Sequence, residues 1–119
     1  MALTVTYTTG NNITVTATET TLAVTDGSTT LQTLTDIGYY TLVLDGVASM
    51  VKGDEYLLKV YEKAQSAGTK RVIMQLRILG VQTEPIVLPN LFLGIGWDMT
   101  LQLISATGRA FFWSIRRAS

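Results

Sequence analysis

Threonine alternating with apolar residues fills the first third of the chain and is the feature that most constrains its fold. Threonine supplies 15 of the first 41 residues, and the alternation is clean over residues 4–8 and 13–18. β-Branched side chains suit a pleated surface and lose rotamer freedom in a helix. The pattern therefore predicts strands, with a hairpin turn at residues 10–12. A second turn is predicted at Asp26-Gly27, between strands at residues 21–25 and 29–35.

The rest of the chain also has strand signals. Residues 39–44 form an apolar run closed by Asp45-Gly46, which predicts a central strand buried on both faces. Residues 54–64 favour a strand with alternate apolar side chains on one face, although a short helix starting at Asp54 is the alternative. Further strands are predicted at residues 69–79, 99–104 and 110–116, and the prolines place residues 85–89 at a sheet edge or in an extended arm.

Eight or nine strands with little helix predict an all-β fold. We expect one single-domain antiparallel β-sandwich over residues 1–119, jelly-roll-like in type. The Thr-rich strands within residues 1–35 are expected to act as an interaction arm. The N-terminal residues lack the features of a secretion signal, so we expect a soluble protein.

Charge is scarce in this chain. Lysine, arginine, aspartate and glutamate make up 15% of the sequence, against about 25% in typical domains. Hydrophobic residues make up 47%, the mean hydropathy is +0.30 and the formal net charge is zero. A free domain relies on surface charge to stay apart from its copies. The composition therefore predicts that part of the surface is covered by other subunits.

Histidine and cysteine are both absent. This excludes the common catalytic triads, histidine general bases, cysteine nucleophiles and ordinary zinc sites. The adjacent Asp54 and Glu55 point to opposite faces of a strand, so they are interpreted as solvated charges at a turn end. Gly94 and Gly96 lack the rest of a phosphate-binding pattern and indicate a tight bend. We expect no enzyme activity, no cofactor and no metal.

Two segments are candidates for partner surfaces. Residues 85–97 are apolar and uncharged, and they either dock on a neighbouring subunit or fill the domain's own core. Residues 109–117 mix aromatic residues with arginine, which suits a closing core strand or nucleic-acid contact. Overall neutrality argues against nucleic acid, and the lack of flanking basic residues argues against a membrane. The candidate interface residues are Leu91, Phe92, Leu93, Trp97, Arg109, Arg116 and Arg117.

A family resemblance covers about the last two-thirds of the chain. It lies in residues 53–63 (GDEYLLKVYEK), 68–71 (GTKR), 84–87 (EPIV) and 107–117 (TGRAFFWSIRR). In these segments the chain resembles small proteins of tailed bacteriophages that act as capsid decoration or cement subunits. The resemblance implies a β-sandwich that is made in the host cytoplasm and binds the major capsid protein on the virion surface. It also implies self-association, as a homotrimer or homodimer.

Two rival functions fit the same sequence. A tail, neck or head-fibre component would have an identical strand pattern. A carbohydrate-binding β-sandwich module would present exposed aromatic side chains to sugars, with candidates Tyr39, Tyr40, Trp97 and Trp113.

Overall fold

Eight strands form the regular structure of residues 5–118, the part of the chain that the computed structural model describes. No helix occurs within those residues. The strands are β1 (Val5–Val15), β2 (Thr20–Thr21), β3 (Gly38–Asp45), β4 (Glu55–Glu62), β5 (Arg71–Leu79), β6 (Ile86–Leu93), β7 (Asp98–Ser105) and β8 (Arg109–Ala118).

The strands pair in the nested order of a jelly roll. β1 pairs with β8, β2 with β7, β3 with β6 and β4 with β5, all antiparallel. Two further pairings, β3 with β8 and β4 with β7, complete sheet A in the order β1-β8-β3-β6 and sheet B in the order β2-β7-β4-β5. Every connection except β4 to β5 crosses between the sheets, as in an eight-stranded jelly roll. The predicted antiparallel β-sandwich is confirmed.

The core lies between the two sheets because alternate side chains of each strand point inward. In β4 the inward residues are Tyr56, Leu58 and Val60, each at most 1% exposed, so the strand predicted there is confirmed and the helix beginning at Asp54 is wrong. The Tyr56 ring meets the Phe111 ring of sheet A edge-on, with centroids 4.8 Å apart. Burying each such side chain stabilises the fold by roughly 1.5–3 kcal/mol.

β3 is central to sheet A, as predicted, because it pairs with β8 on one side and β6 on the other. Its burial differs from the expectation. Tyr40, Leu42 and Leu44 are buried, but Tyr39 on the opposite face is 57% exposed. The strand is therefore buried on one face only, and its outer face is open.

The hairpin predicted at residues 10–12 does not form. β1 runs without interruption from Val5 to Val15, and its register against β8 shifts between Gly10 and Ile13. Asn12 takes a positive φ of 55° in this bulge. Gly10 lies directly opposite Trp113, and a Cβ at Gly10 would sit 2.2 Å from the Trp113 ring. Glycine at this position allows β1 to pass close to a core tryptophan, because it has no Cβ to overlap the ring.

The strands predicted on either side of Asp26-Gly27 are much shorter than expected. The turn itself is confirmed, because the Asp26 carboxylate accepts a hydrogen bond from the Ser28 backbone N–H and Gly27 has a φ of +75°. Before it the pairing is limited to Thr20–Thr21, and after it Leu34 forms an isolated bridge with Trp97. The described part of the predicted 1–35 arm is integral to the sandwich.

Buried aromatic side chains hold this irregular segment in place. The Trp113 indole N–H donates to the Leu22 carbonyl at 2.9 Å, and Leu22 is fully buried. The Trp97 indole N–H donates to the Asp36 carbonyl at 3.1 Å. These bonds satisfy polar atoms that burial would otherwise leave unpaired.

Candidate interaction surface

The outer face of sheet A carries large apolar side chains on all four strands. Tyr7 on β1, Tyr39 on β3 and Phe92 on β6 are each 57% exposed. Val87 on β6 is 51% exposed and Phe112 on β8 is 43% exposed. We call this surface the sheet A face. Its members are the outward residues Tyr7, Thr9, Tyr39, Thr41, Val43, Asp45, Val87, Phe92, Phe112, Ser114 and Arg116.

The aromatic rings of the sheet A face are held by specific contacts. Tyr39 and Phe92 lie opposite each other on β3 and β6 and meet edge-on, with ring centroids 5.2 Å apart. The Arg116 guanidinium lies 5.4 Å from the centre of the Tyr7 ring. Arg116 Nε also donates to Ser114 Oγ at 3.1 Å. Preset rings lose little conformational entropy when a partner binds.

Charge is sparse on the sheet A face. Its members include one arginine, Arg116, and one aspartate, Asp45. The Asp45 carboxylate accepts a hydrogen bond from the Val47 backbone N–H at 3.0 Å. A surface depleted of charge and rich in aromatic rings has the composition of a protein–protein interface core.

The segment of residues 85–97 is predicted either to dock on a neighbour or to fill the core. In the structure, some of its side chains lie in the core and others lie on the sheet A face. It forms edge strand β6 and the bend that follows, which confirms the expected edge position and the bend at Gly96 (φ +77°). Leu93 and Trp97 are 1% and 3% exposed, and Leu91 packs against the core. Assigning Leu93 and Trp97 to an interface is therefore wrong, because the domain's own core covers them. Phe92 points the other way and belongs to the sheet A face.

The three candidate arginines lie in different environments. Arg116 belongs to the sheet A face. Arg109 turns inward, and its Nε donates to the buried Asp54 carboxylate at 3.0 Å. Arg117 donates from Nη2 to the Ile37 carbonyl at 2.7 Å, and its Nε is buried without a hydrogen-bond partner. The C-terminal segment forms a central strand of sheet A and presents one of these arginines on the open face.

Asp54 is not a solvated charge. It is 1% exposed and accepts hydrogen bonds from the Val51 backbone N–H at 2.9 Å and from Arg109. The interpretation as a free turn-end carboxylate is therefore wrong for this residue. Glu55, on the outer face of sheet B, forms an ion pair with Arg77.

Three of the four aromatic candidates for sugar binding lie in the core. Tyr40, Trp97 and Trp113 are 3–4% exposed, which rules them out as a sugar platform. Tyr39 is exposed and flanks a depression that Tyr7, Asn90 and Arg116 also line.

Tyr7 lies outside both candidate segments, and Val87 and Phe112 lie within them but are not among the individually predicted interface residues. A usable signal was present for Phe112. In the run Phe111-Phe112-Trp113 of a strand, the middle ring must point away from the core when its neighbours point inward. Phe111 and Trp113 are 1% and 3% exposed, and Phe112 lies outside.

A polar cluster lies on sheet B, where Glu19 accepts hydrogen bonds from the Tyr61 and Thr100 hydroxyls. Burial, with a further contribution from Glu19, raises the pKa of Tyr61 well above its ordinary value. The neighbouring Asp98 is fully buried, and its carboxylate accepts bonds from the Thr21 hydroxyl at 2.5 Å and from the Gln32 and Met99 backbone N–H groups. Burial raises the pKa of Asp98, while these donors and Lys70 act in the opposite direction.

Both carboxylates of this cluster accept hydrogen bonds from donors of the chain itself. Asp98 fastens β2 and the loop before β3 to β7, and Lys70 adds a bond from Nζ to the Gln32 carbonyl at 2.7 Å. The cluster therefore acts as a structural clamp on the edge of sheet B.

Residues 5–118 contain no group of three or more acidic, histidine or cysteine side chains placed to hold a metal ion. Within the same range no helix has the length and apolarity needed to cross a membrane. Comparisons with protein-family models, curated proteins and solved structures found no match for the chain.

Proposed function

We propose that this chain is a non-catalytic structural protein of a tailed-bacteriophage virion. In this proposal it binds the outer surface of the major capsid protein and cements neighbouring subunits. Nucleic acid and membrane are not partners. The observation that carries the proposal is the sheet A face, an open four-stranded surface with exposed rings and little charge.

The side chains of the sheet A face are those that anchor protein interfaces. Tyrosine and arginine are enriched among residues whose truncation costs most binding energy. Tyr7, Tyr39 and Phe92 supply rings, and Arg116 supplies a guanidinium already stacked near Tyr7. A rigid sheet holds all four, so docking on another protein needs little rearrangement.

The chemistry of the chain supports a structural role over a catalytic one. With no histidine and no cysteine, carboxylates are the main remaining candidates for proton transfer. The buried carboxylates, Asp54 and Asp98, bind donors of the chain itself. These carboxylates hold loops and strands together. We therefore expect the protein to act through its exposed surfaces.

The family resemblance also supports this role. The segments that carry it fall on strands of both sheets: residues 53–63 contain β4, residues 68–71 lead into β5, residues 84–87 start β6 and residues 107–117 form most of β8. They are framework segments rather than a reactive site. Weak contacts repeated over many copies on a shell add up through multivalency, so each face needs only modest affinity.

The test is binding to purified shells, with one variant on the sheet A face and one matched control. Phe92→Ser removes an exposed ring from that face, and Ile104→Ser removes an apolar side chain that is 48% exposed on β7 of sheet B. We expect Phe92→Ser to bind shells at least about tenfold more weakly, the loss of one interface anchor, and Ile104→Ser to bind like wild type.

Cryo-electron microscopy of the parent virion should show the domain outside the capsid with sheet A against the shell. The proposal is overturned if the protein is absent from purified virions or if Phe92→Ser binds as well as wild type. Density on a tail, neck or head fibre would keep the structural role and replace the capsid location.

A carbohydrate-binding module is the second candidate. The observation in its favour is the depression flanked by Tyr7 and Tyr39, with Asn90 and Arg116 beside them as hydrogen-bonding groups. Aromatic rings next to polar side chains are suited to stack on a sugar and orient it. Binding on a glycan array that Tyr39→Ala abolishes would favour this function over the structural one.

A further inference from the structure

Most sheet edges among the described residues carry a feature that blocks further strand pairing. β2 has two residues. β6 contains Pro89, which has no N–H to donate, and its register against β3 is broken beside Asn90, where φ is 55°. β1 has a bulge between Gly10 and Ile13. Short strands, prolines and bulges are the usual protection against edge-to-edge association.

β5 also has one register shift, but unlike the Thr-rich β1 and the proline-containing β6 it has an apolar sequence that no proline interrupts. It is nine residues long and lies at the end of sheet B. Its register against β4 skips Ile73, which leaves the regular run Met74–Leu79 paired on one side and open on the other. Leu76 is 36% exposed and Leu79 is 60% exposed. A regular apolar strand with free backbone donors and acceptors is a template for one more strand.

We propose that a second copy of this chain pairs its β5 with this edge in an antiparallel, two-fold symmetric manner centred on Leu76. The sequence around Leu76 reads alike in both directions as apolar, polar, apolar, polar, apolar (Met74-Gln75-Leu76-Arg77-Ile78). In this register Leu76 faces Leu76 of the second copy. Met74 faces Ile78, and Gln75 faces Arg77.

The charges fit this self-pairing. Arg77 forms an ion pair with Glu55 of its own sheet, so its charge is partly neutralised at the edge. Centring on Leu76 places Arg77 opposite an uncharged glutamine, Gln75. No two arginines face each other across the pair. Like charges directly opposite each other would destabilise it.

Two-fold antiparallel pairing joins the two B sheets into one eight-stranded sheet. The symmetry axis is perpendicular to that sheet, so the inner faces of both copies lie on the same side, and both sheet A faces point in one direction. With both sheet A faces pointing in one direction, the dimer would bind one shell surface at two points and gain affinity from multivalency. This advantage rests on the proposed function. The self-paired run, Met74–Ile78, is about 17 Å long at ~3.4 Å per residue, so the dimer is expected to form reversibly.

Sedimentation velocity over a range from low micromolar to near-millimolar protein tests the association. We expect a concentration-dependent monomer–dimer equilibrium. Gln75→Lys places a lysine opposite Arg77 at two symmetric points and should weaken dimerisation about three- to thirtyfold. Gln65→Lys makes the same change in the exposed turn before β5 and should leave the equilibrium unchanged.

Cysteine cross-linking tests the register. The chain has no cysteine, so Leu76→Cys creates a lone thiol directly opposite its symmetry mate, close enough for a disulfide. Under mild oxidation we expect Leu76→Cys to form a covalent dimer much faster than Gln65→Cys. Circular dichroism checks that each variant keeps its strand content.

A wild-type protein that stays monomeric at the highest concentration would overturn this inference. So would equal effects of the two lysine variants, or equal cross-linking of the two cysteine variants. Shell binding separates it from the proposed function. A dimer that never binds shells removes the proposed function and leaves the β5 dimer, whereas shell binding by a strictly monomeric protein removes the dimer alone.

Discussion

Replacing Gly10 with alanine tests how β1 passes over the core tryptophan. Gly10 is buried in β1, and an alanine Cβ there would lie 2.2–2.4 Å from three atoms of the Trp113 ring, Cε2, Cζ2 and Cδ2. Real Cβ contacts are never this short, so the ring or the strand must move. Trp113 resists movement because it is 3% exposed and its indole N–H is bonded to Leu22.

Overpacking of this kind costs about 1–3 kcal/mol, and we expect Gly10→Ala to lower the free energy of unfolding by that amount. Trp113→Val removes all three clashing atoms and should itself cost roughly 3 kcal/mol as a large-to-small core change. In the Trp113→Val background, the alanine methyl enters space that the ring has left. Gly10→Ala should then cost close to nothing, which gives a coupling energy of about 1–3 kcal/mol.

Urea denaturation followed by circular dichroism measures all four proteins of this cycle. Gly80→Ala is the control, because Gly80 has a φ of +64° and a Cβ there would meet no atom within 4 Å. Its cost of about 1 kcal/mol comes from the backbone alone and should be equal in both backgrounds. If Gly10→Ala costs the same free energy of unfolding in the wild-type and Trp113→Val backgrounds, the close approach to Trp113 is not the reason that this position is glycine.

Three further changes probe the internal polar contacts. Asp54→Ala should lower the free energy of unfolding by about 2 kcal/mol in urea denaturation, since it strips a partner from Arg109, whose side chain is 29% exposed and partly solvated. Asp98→Asn should cost about 1–3 kcal/mol in the same assay, because its amide NH₂ would face backbone donors. Burial raises the pKa of Tyr61 above its ordinary 10.0, so folding stability should fall as pH rises above that value. The fall should be shallower in Tyr61→Phe, as measured by thermal melts between neutral and alkaline pH.

Two strands are predicted from a period-two pattern that matches a buried row: Tyr56, Leu58 and Val60 in β4, and Met99 and Leu101 in β7. β3, β5 and β8 are predicted from apolar runs, and the run in β3 does not reveal that one of its faces is open. The predicted hairpin at Gly10 fails because glycine followed by two asparagines suits a turn and a bulge equally well. Trp113 decides between them, and it lies 103 positions further along the chain, where local sequence carries no information about it.

The candidate surface is harder to predict, because a bulge changes which residues point outward. In β6, Ile86 and Leu88 pair with inward residues of β3, and so does Leu91 after the register shift. The inward positions change from even to odd across this shift. Strict alternation from Leu88 would put Phe92 in the core, whereas the structure exposes it. A prediction from the sequence alone could not assign the two faces of residues 85–97.

Fewer charged side chains are free on the surface of this protein than its composition suggests. Seven of the nine acidic residues accept hydrogen bonds from the chain through their side chains: Glu19, Asp26, Asp45, Asp54, Glu55, Glu62 and Asp98. Three of these contribute little to repulsion between copies, because Asp54 and Asp98 are buried and Glu55 is paired with Arg77. The sheet A face and the β5 edge lie in different sheets and expose apolar side chains that so little free charge cannot keep apart. Adding acidic residues to either surface should therefore raise solubility and reduce assembly together, whereas in a domain that works alone solubility would rise with no loss of function.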